Sequence, residues 1–162
     1  MRWFPLVGGA IGGITAGLAW AGAHLWPLGL ALLVALAVEA WLSGAFHEDA
    51  VADFFDAFGG GYTRERTLEI LKDSRVGSFG VVALFFALTL RFGGLVTLPT
   101  PTLFAALIAS AALGRWLILP GMAILPPVTG RDSLAKDVGQ RVRAWEVGVG
   151  ALVAGPAVAW WA

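Results

Sequence analysis

The chain has 162 residues, a hydrophobic fraction of 58% and a formal net charge of zero, and its mean hydropathy is +0.78. Since soluble domains are about 45–50% apolar, this composition indicates a protein with several membrane spans. The basic residues form no stripe of the kind that a phosphate backbone requires, so no nucleic-acid partner is expected. Cysteine is absent, which excludes disulfides, thiolate catalysis and cysteine-bound metal sites.

Five apolar segments are long enough, or nearly long enough, to cross a hydrocarbon core of about 30 Å. They predict an all-α, polytopic membrane helix bundle with about five transmembrane helices, forming one integral-membrane domain over residues 1–162. The first segment is rich in glycine, and small residues let helices approach closely and favour a homo-oligomer. The predicted spans cover about residues 3–23, 27–44, 76–92, 103–120 and 145–161.

Two polar stretches interrupt the apolar pattern. The first, over residues 45–77, holds most of the acidic residues and predicts two short interfacial helices separated by the glycines at 59–61. The second, over residues 129–143, predicts another interfacial helix. Of the Lys and Arg residues in the predicted loops and at the ends of predicted spans, only Arg91 falls on the side opposite to the others, so the positive-inside rule places both stretches in the cytoplasm. The sequence therefore predicts a multi-pass protein of the cytoplasmic membrane, with its N-terminus inside and its C-terminus outside.

The first polar stretch opens with an acidic cluster. Asp49, Asp53 and Asp56 are spaced i, i+4 and i+7, so on a helix they share one face, where their charges repel unless a cation lies against them. Oxygen ligands of this kind favour Mg²⁺ or Mn²⁺ over zinc. The alternative is a solvated helix face. The adjacent His47 either orients a carboxylate or touches substrate, or it is merely a polar interfacial residue.

The second part of this stretch places carboxylates beside cations. Glu69 and Asp73 share a helix face at i and i+4, and Lys72 and Arg75 lie on a neighbouring one. Carboxylates that hold a cation, next to groups that neutralise phosphate oxygens, are what metal-assisted phosphate transfer requires. The glycines at 59–61 supply either backbone amides or a hinge.

Glu39 and Arg115 lie within predicted spans, several residues from either end. Glu39 is a functional candidate by default, although a structural partner such as a tryptophan or a backbone group is the favoured interpretation. Arg115 lies about a turn from the cytoplasmic end of its span, where phosphate binding competes with snorkelling of its long side chain.

Two motifs resemble one known family. In order and spacing, they resemble motifs of the cobalamin synthase family of adenosylcobinamide-GDP ribazoletransferases. The first is His-Glu-Asp-x-x-Ala-Asp-x-x-Asp at 47–56, and the second is Glu-Ile-Leu-Lys-Asp-Ser-Arg-Val-Gly-Ser-Phe-Gly at 69–80. Supporting matches are Trp-Phe-Pro-Leu-Val-Gly at 3–8 and Gly-Arg-Trp at 114–116. Members of the family commonly carry further segments at both ends.

The resemblance implies a Mg²⁺-dependent enzyme that joins adenosylcobinamide-GDP to α-ribazole or its 5′-phosphate. The products are adenosylcobalamin or its 5′-phosphate, and GMP. It also implies an enzyme that is embedded in the lipid bilayer and has other enzymes of the corrinoid pathway as partners. The implied metal and diphosphate ligands are Asp49, Asp53 and Asp56, with Glu48 as a weaker candidate. Among the implied catalytic residues, Asp73 and Glu69 form a second metal position or act as the base for the ribazole 3′-hydroxyl, and Lys72 and Arg75 stabilise the leaving GMP. His47 is also an implied catalytic residue. The implied substrate contacts are Arg115, Ser74 and Gly60.

Two other functions remain open from the sequence. A CDP-alcohol phosphotransferase uses comparable cation and diphosphate chemistry, but its Asp-Gly-x-x-Ala-Arg and later Gly-x-x-x-Asp-x-x-x-Asp pattern is missing here. A non-catalytic membrane scaffold or transporter could keep the same carboxylates for ion binding.

Overall fold

The computed structural model describes residues 2–125 and 142–159. In this part of the chain all regular structure is helical, so the predicted all-α class is confirmed. The predicted interfacial helix over 129–143 falls outside the described residues, apart from positions 142 and 143. The helices are α1 (Phe4–Gly22), α2 (Leu28–Leu42), α3 (Phe46–Gly60), α4 (Arg64–Ile70), α5 (Ser78–Val96), α6 (Thr100–Ile124) and α7 (Ala144–Ala159).

Three helices are long and apolar enough to cross a membrane, namely α1, α5 and α6. The 19 residues of α5 span roughly 28 Å, which matches a hydrocarbon core. Helix α2, with 15 residues, passes the same test only together with α3, from which it is bent by 83°. The membrane helix bundle is thus confirmed, and the described residues support three spans, or four if the bent pair is one, where the sequence predicted about five.

The helices form two compact units. The first contains Met1–Trp20 and Pro99–Ala162, and the second contains Ala21–Leu98. In the first unit, α1 packs on the alanine-rich α6 through glycine, since a Cβ at Gly12 would come within 2.6 Å of the Leu107 carbonyl oxygen. This contact fits the predicted close approach of helices at the glycine-rich segment. Helix α7 is tied to α6 by a hydrogen bond of 3.1 Å that the Trp116 indole donates to the Val147 carbonyl.

In the second unit, α5 packs against both α2 and α3. Glu39 on α2 is buried, and both its carboxylate oxygens accept hydrogen bonds from the Arg91 guanidinium on α5, at 2.9 and 2.8 Å. The favoured interpretation, a structural partner for Glu39, is therefore confirmed, but the partner is Arg91 and not a tryptophan or a backbone group. Helix α5 continues to Val96, beyond the predicted end at 92.

Candidate active site

Helix α3 carries the acidic cluster, and a sharp turn sets its direction. Gly44 and Ala45 both have positive φ angles, of 66° and 54°, so the chain leaves the axis of α2 at this point. The first turn of α3 contains Glu48 and Asp49, whose charges interact favourably with the positive end of the helix dipole. The sequence therefore starts a new helix here instead of prolonging α2.

The two sides of α3 differ in character. Asp49 and Asp53 lie one turn apart, and the exposed rings of Phe54 and Phe58 project from the opposite side, since successive residues are rotated by about 100°. The predicted common face of the three aspartates is thus present. Across residues 2–125 and 142–159, however, no three His, Asp or Glu side chains converge as a preformed metal site.

Asp56, the third aspartate, is engaged by the start of α5. Its Oδ2 accepts a hydrogen bond of 2.7 Å from the Gly77 backbone N–H, and its Oδ1 accepts one of 2.8 Å from the Gly80 backbone N–H. Gly77 is the N-cap of α5 and makes no cap with a side chain of its own. The carboxylate of α3 thus satisfies two donors that the helix terminus would otherwise leave without partners.

The segment between α4 and α5 holds a tight ion pair. The Arg75 guanidinium donates to Asp73 Oδ2 at 2.6 Å from Nη2 and to Asp73 Oδ1 at 2.9 Å from Nε, and the Arg75 backbone N–H also donates to Oδ1 at 3.1 Å. These hydrogen bonds lower the pKa of Asp73 from 3.8 to about 2 and raise the pKa of Arg75. Asp73 is therefore ionised at any physiological pH and is a weak proton acceptor.

Helix α4 presents a second carboxylate. Its N-cap Thr63 accepts a hydrogen bond of 3.2 Å from the Arg66 backbone N–H, which fixes the start of the helix. Glu69 accepts a hydrogen bond of 2.7 Å from Arg66 Nη1, and both side chains are exposed. Lys72 and Ser74, which follow α4, are exposed as well.

A cavity of about 440 Å³ joins parts of both motifs. Four of the predicted site residues line it together, namely Asp56, Gly60, Asp73 and Arg75. His47, Glu48, Asp49 and Asp53 lie on the preceding turns of α3. The remaining lining residues are Ile70, Val76, Gly77, Ser78 and Phe79.

Arg115 differs from the other predicted site residues because it belongs to the first unit. Its Nη1 donates a hydrogen bond of 3.2 Å to the Ala111 carbonyl, one turn earlier on α6. The sequence interpretation did not assign a role to Gly77 and Gly80, although both are part of the motif at 69–80. The available signal was two glycines three residues apart at the start of an apolar helix, which is an unusual place for them.

The donor set of α3 fits Mg²⁺. This ion usually keeps several waters and takes only one or two protein carboxylates, with substrate phosphates supplying other oxygens. Asp49 and Asp53 provide two carboxylates on one face, so a preformed group of three is not required. Glu48 adds an observation of its own, because its Oε2 is buried without a hydrogen-bond partner among the described residues, which is costly unless a cation or donor is supplied.

Comparison with known proteins assigns the chain to a family. The family model of cobalamin-5-phosphate synthase matches residues 1–162. Proteins named adenosylcobinamide-GDP ribazoletransferase are similar to it. That of Leptothrix cholodnii is 39% identical over 145 residues, which cover 87% of this chain and 55% of the relative. That of Ralstonia nicotianae is 37% identical over 163 residues, which cover 93% of this chain and 61% of the relative.

A relative of the same name from Shewanella putrefaciens is 46% identical over 112 residues, covering 69% of this chain and 42% of its own length. The chain thus spans about half the length of the curated relatives that it matches. No solved structure matches it. The family model covers the whole sequence, and the predicted resemblance is confirmed: the chain belongs to the cobalamin-5-phosphate synthase family.

Proposed function

We propose that this chain is an adenosylcobinamide-GDP ribazoletransferase, which joins adenosylcobinamide-GDP to α-ribazole or its 5′-phosphate. In this reaction the ribazole 3′ oxygen forms a bond to the phosphorus attached to the cobinamide, the bond from that phosphorus to the GMP oxygen breaks, and the hydroxyl proton passes to a carboxylate. The names of the relatives support the reaction class. The observation that carries the proposal is the cavity in which Asp56 of the acidic helix meets the ion pair Asp73–Arg75.

We assign the metal to the acidic face of α3. Asp49 and Asp53 would hold Mg²⁺, and Glu48 is a weaker candidate ligand, since its Oε2 is buried without a hydrogen-bond partner among the described residues. When bound, the ion would neutralise charge on the substrate diphosphate and on the departing GMP. The protein's part is to hold these two carboxylates one turn apart on a rigid helix.

The cations beyond α4 would bind the phosphates. The Arg75 side chain is 87% exposed although it is paired with Asp73, so its outer N–H groups can donate to phosphate oxygens while Asp73 fixes the guanidinium plane. Lys72 and Ser74 would contact the same group, and Gly60 lines the cavity wall.

The proton of the acceptor hydroxyl needs a base. Of the two carboxylates suggested by the sequence, Asp73 has a pKa of about 2 and accepts protons poorly. We therefore assign the base to Glu69 and an orienting role to Asp73. His47, in the first turn of α3, would orient Asp49 or contact the substrate.

The proposed setting is the cytoplasmic membrane, with the cavity facing the cytoplasm. The apolar helices α1, α5 and α6 support the membrane setting, and the distribution of Lys and Arg supports the orientation. Substrates made in the cytosol would then reach the cavity directly.

The proposal is tested with the folded chain in detergent or nanodiscs. Adenosylcobinamide-GDP and α-ribazole 5′-phosphate should give adenosylcobalamin 5′-phosphate and GMP with Mg²⁺, and nothing in EDTA. Asp53→Asn should lower kcat at least about 100-fold if the carboxylate binds the ion. Glu65→Gln, an exposed carboxylate on α4 that does not line the cavity, is the matched control and should keep full activity.

Three results would contradict the proposal. The first is folded protein without GMP release. The second is unchanged activity of Asp49→Asn and Asp53→Asn, which would support the ion-binding alternative. The third is release of CMP from a CDP-alcohol in place of GMP release, which would favour a CDP-alcohol phosphotransferase.

A further inference from the structure

The carboxylate of Asp56 forms a cap on α5 although it belongs to another helix. Its two hydrogen bonds reach Gly77 and Gly80, which lie 21 and 24 residues further along the chain. Helix N-caps are ordinarily supplied by the residue at the cap itself, but Gly77 has no side chain for this purpose. A negative charge at this terminus also interacts favourably with the helix dipole.

The two glycines make room for this carboxylate. A Cβ on Gly80 would collide with Asp56 Oδ2 and would come within 3.0 Å of the Ala52 carbonyl oxygen. A Cβ on Gly77 would lie 3.0 Å from Asp56 Cγ. Gly77 has a φ of −92°, which any residue adopts, so space for the carboxylate, and not backbone freedom, accounts for glycine there.

The two hydrogen bonds fix the direction of the Asp56 carboxylate. Each of its oxygens accepts a backbone N–H at the start of α5, and loss of the carboxylate would leave the N–H groups of Gly77 and Gly80 without this partner. The described residues also place no two further His, Asp or Glu side chains around Asp56 at metal-binding geometry. The contacts that the structure gives Asp56 are therefore those of a docking residue between α3 and α5.

We propose that Asp56 is a positioning residue, which docks the acidic helix α3 onto the N-terminus of α5 and so holds Asp73 and Arg75 beside the metal-binding face. Its assignment to the metal, made from the sequence, is replaced in this proposal by a docking role. The loss of activity expected from an Asp56 substitution rests on the proposed transfer reaction, whereas the docking contact itself does not depend on that reaction.

The decisive experiment measures melting temperature without metal. In EDTA, Asp56→Ala should lower the melting temperature by about 4 °C or more, because a docking contact is lost whether or not an ion is bound. Asp53→Ala is the matched control: its increase in melting temperature on adding Mg²⁺ should disappear, because a proposed metal ligand is lost. For Asp56→Ala that Mg²⁺-dependent increase should remain.

A second pair of variants tests the contact from the side of α5. Gly80→Ala removes no proposed metal ligand, yet it should lower the melting temperature as Asp56→Ala does. The double variant Asp56→Ala with Gly80→Ala should be no less stable than either single variant. Gly93→Ala, on the same helix with open space around it, should not lower the melting temperature. Asp56→Asn keeps one acceptor and should fall between wild type and Asp56→Ala, which provides a milder variant if alanine prevents folding.

Kinetics then separates positioning from simple stabilisation. At a temperature where all variants are folded, Asp56→Asn and Gly80→Ala should both lower kcat by about tenfold or more, while Mn²⁺ affinity measured by electron paramagnetic resonance stays within about threefold of wild type. Unchanged stability of Asp56→Ala in EDTA together with lost Mn²⁺ binding would overturn the proposal. Absence of turnover in the wild-type chain would contradict the proposed function alone, since the melting experiments use no substrate.

Discussion

Single residues show how the chain tolerates charge within apolar helices. Glu39 and Arg91 meet between α2 and α5, and only 10% of the Glu39 side chain and 33% of the Arg91 side chain are exposed. A buried pair of this kind contributes little net stability over an apolar pair, but loss of one partner leaves an unpaired charge. The sequence identified Glu39 as a residue that needs a partner, but Arg91 lies 52 positions away and was not predictable from local pattern.

We expect Glu39→Gln to lower the free energy of unfolding by about 3 kcal/mol, because the guanidinium of Arg91 then stays in an apolar setting without its counter-charge. Thermal or chemical denaturation in nanodiscs measures this. Arg66→Gln, which breaks the exposed pair with Glu69, is the control and should change stability by less than about 1 kcal/mol.

The double variant Glu39→Gln with Arg91→Gln should recover part of the lost stability, since two neutral amides can hydrogen-bond to each other. A double variant that is the additive sum of both single variants would show that the pair does not couple α2 to α5.

The ion pair of Asp73 and Arg75 predicts a defined pH dependence. Because the pKa of Asp73 is lowered from 3.8 to about 2 in the folded chain, its stabilising effect is fully present above about pH 4 and is lost as the pH falls toward 2. The difference in melting temperature between wild type and Asp73→Asn should therefore be constant from pH 8 to pH 5 and should shrink below pH 4. Thermal unfolding at several pH values checks this, and a difference that varies between pH 5 and pH 8 would contradict the assigned pKa.

At the scale of helices, the sequence predicted more than it did at the scale of side-chain contacts. Apolar segments long enough for a membrane occur where the helices are, because hydropathy and helix length are both local properties. The end of α5 was predicted too early, since Arg91 followed by Phe92 and two glycines resembles a helix terminus. The docking of Asp56 on α5 was not predicted, because it depends on how α3 and α5 cross, and no local spacing encodes that crossing.

The glycines of α1 illustrate the same limit. The sequence showed that the segment is rich in small residues, but only the packing shows which of them face α6. A Cβ on Gly8 would collide with the Ala111 carbonyl oxygen, and a Cβ on Gly12 would approach the backbone of α6. Gly9 and Gly13 have open space around them. The contact therefore uses the small-x-x-x-small spacing of Gly8 and Gly12.

We expect Gly12→Ala to destabilise the folded chain by about 1–3 kcal/mol, because the added methyl group forces α1 away from α6. Gly13→Ala, one position along the same helix, should instead be neutral or stabilise by up to about 1 kcal/mol through its better helix propensity. Thermal denaturation of both variants measures the difference. Equal effects of the two substitutions would contradict the close contact at Gly12.

At the scale of the whole molecule, the path through the membrane depends on the bent pair of α2 and α3. Helices α1, α5 and α6 satisfy the requirements of a span, whereas α2 is followed by a bend of 83° into α3. With the proposed orientation, α2 crosses by itself and α3 lies along the cytoplasmic surface, with its aspartates toward water and Phe54 and Phe58 toward lipid. The other two geometries of the bent pair are one broken span and a re-entrant loop.

Because the chain contains no cysteine, single cysteines can report each position without background. We expect Ser43→Cys, Tyr62→Cys and Ser74→Cys to react with a membrane-impermeant maleimide only from the cytoplasmic side, and Thr97→Cys, at the C-cap of α5, only from the opposite side. Tyr62 is 94% exposed, so failure of the Tyr62→Cys variant to react from a given side reflects the bilayer and not burial in the protein. Protection of Ser43→Cys from both sides would place the bend inside the hydrocarbon and would favour a broken or re-entrant α2–α3 pair. Labelling of Ser74→Cys and Thr97→Cys from the same side would contradict a transmembrane α5.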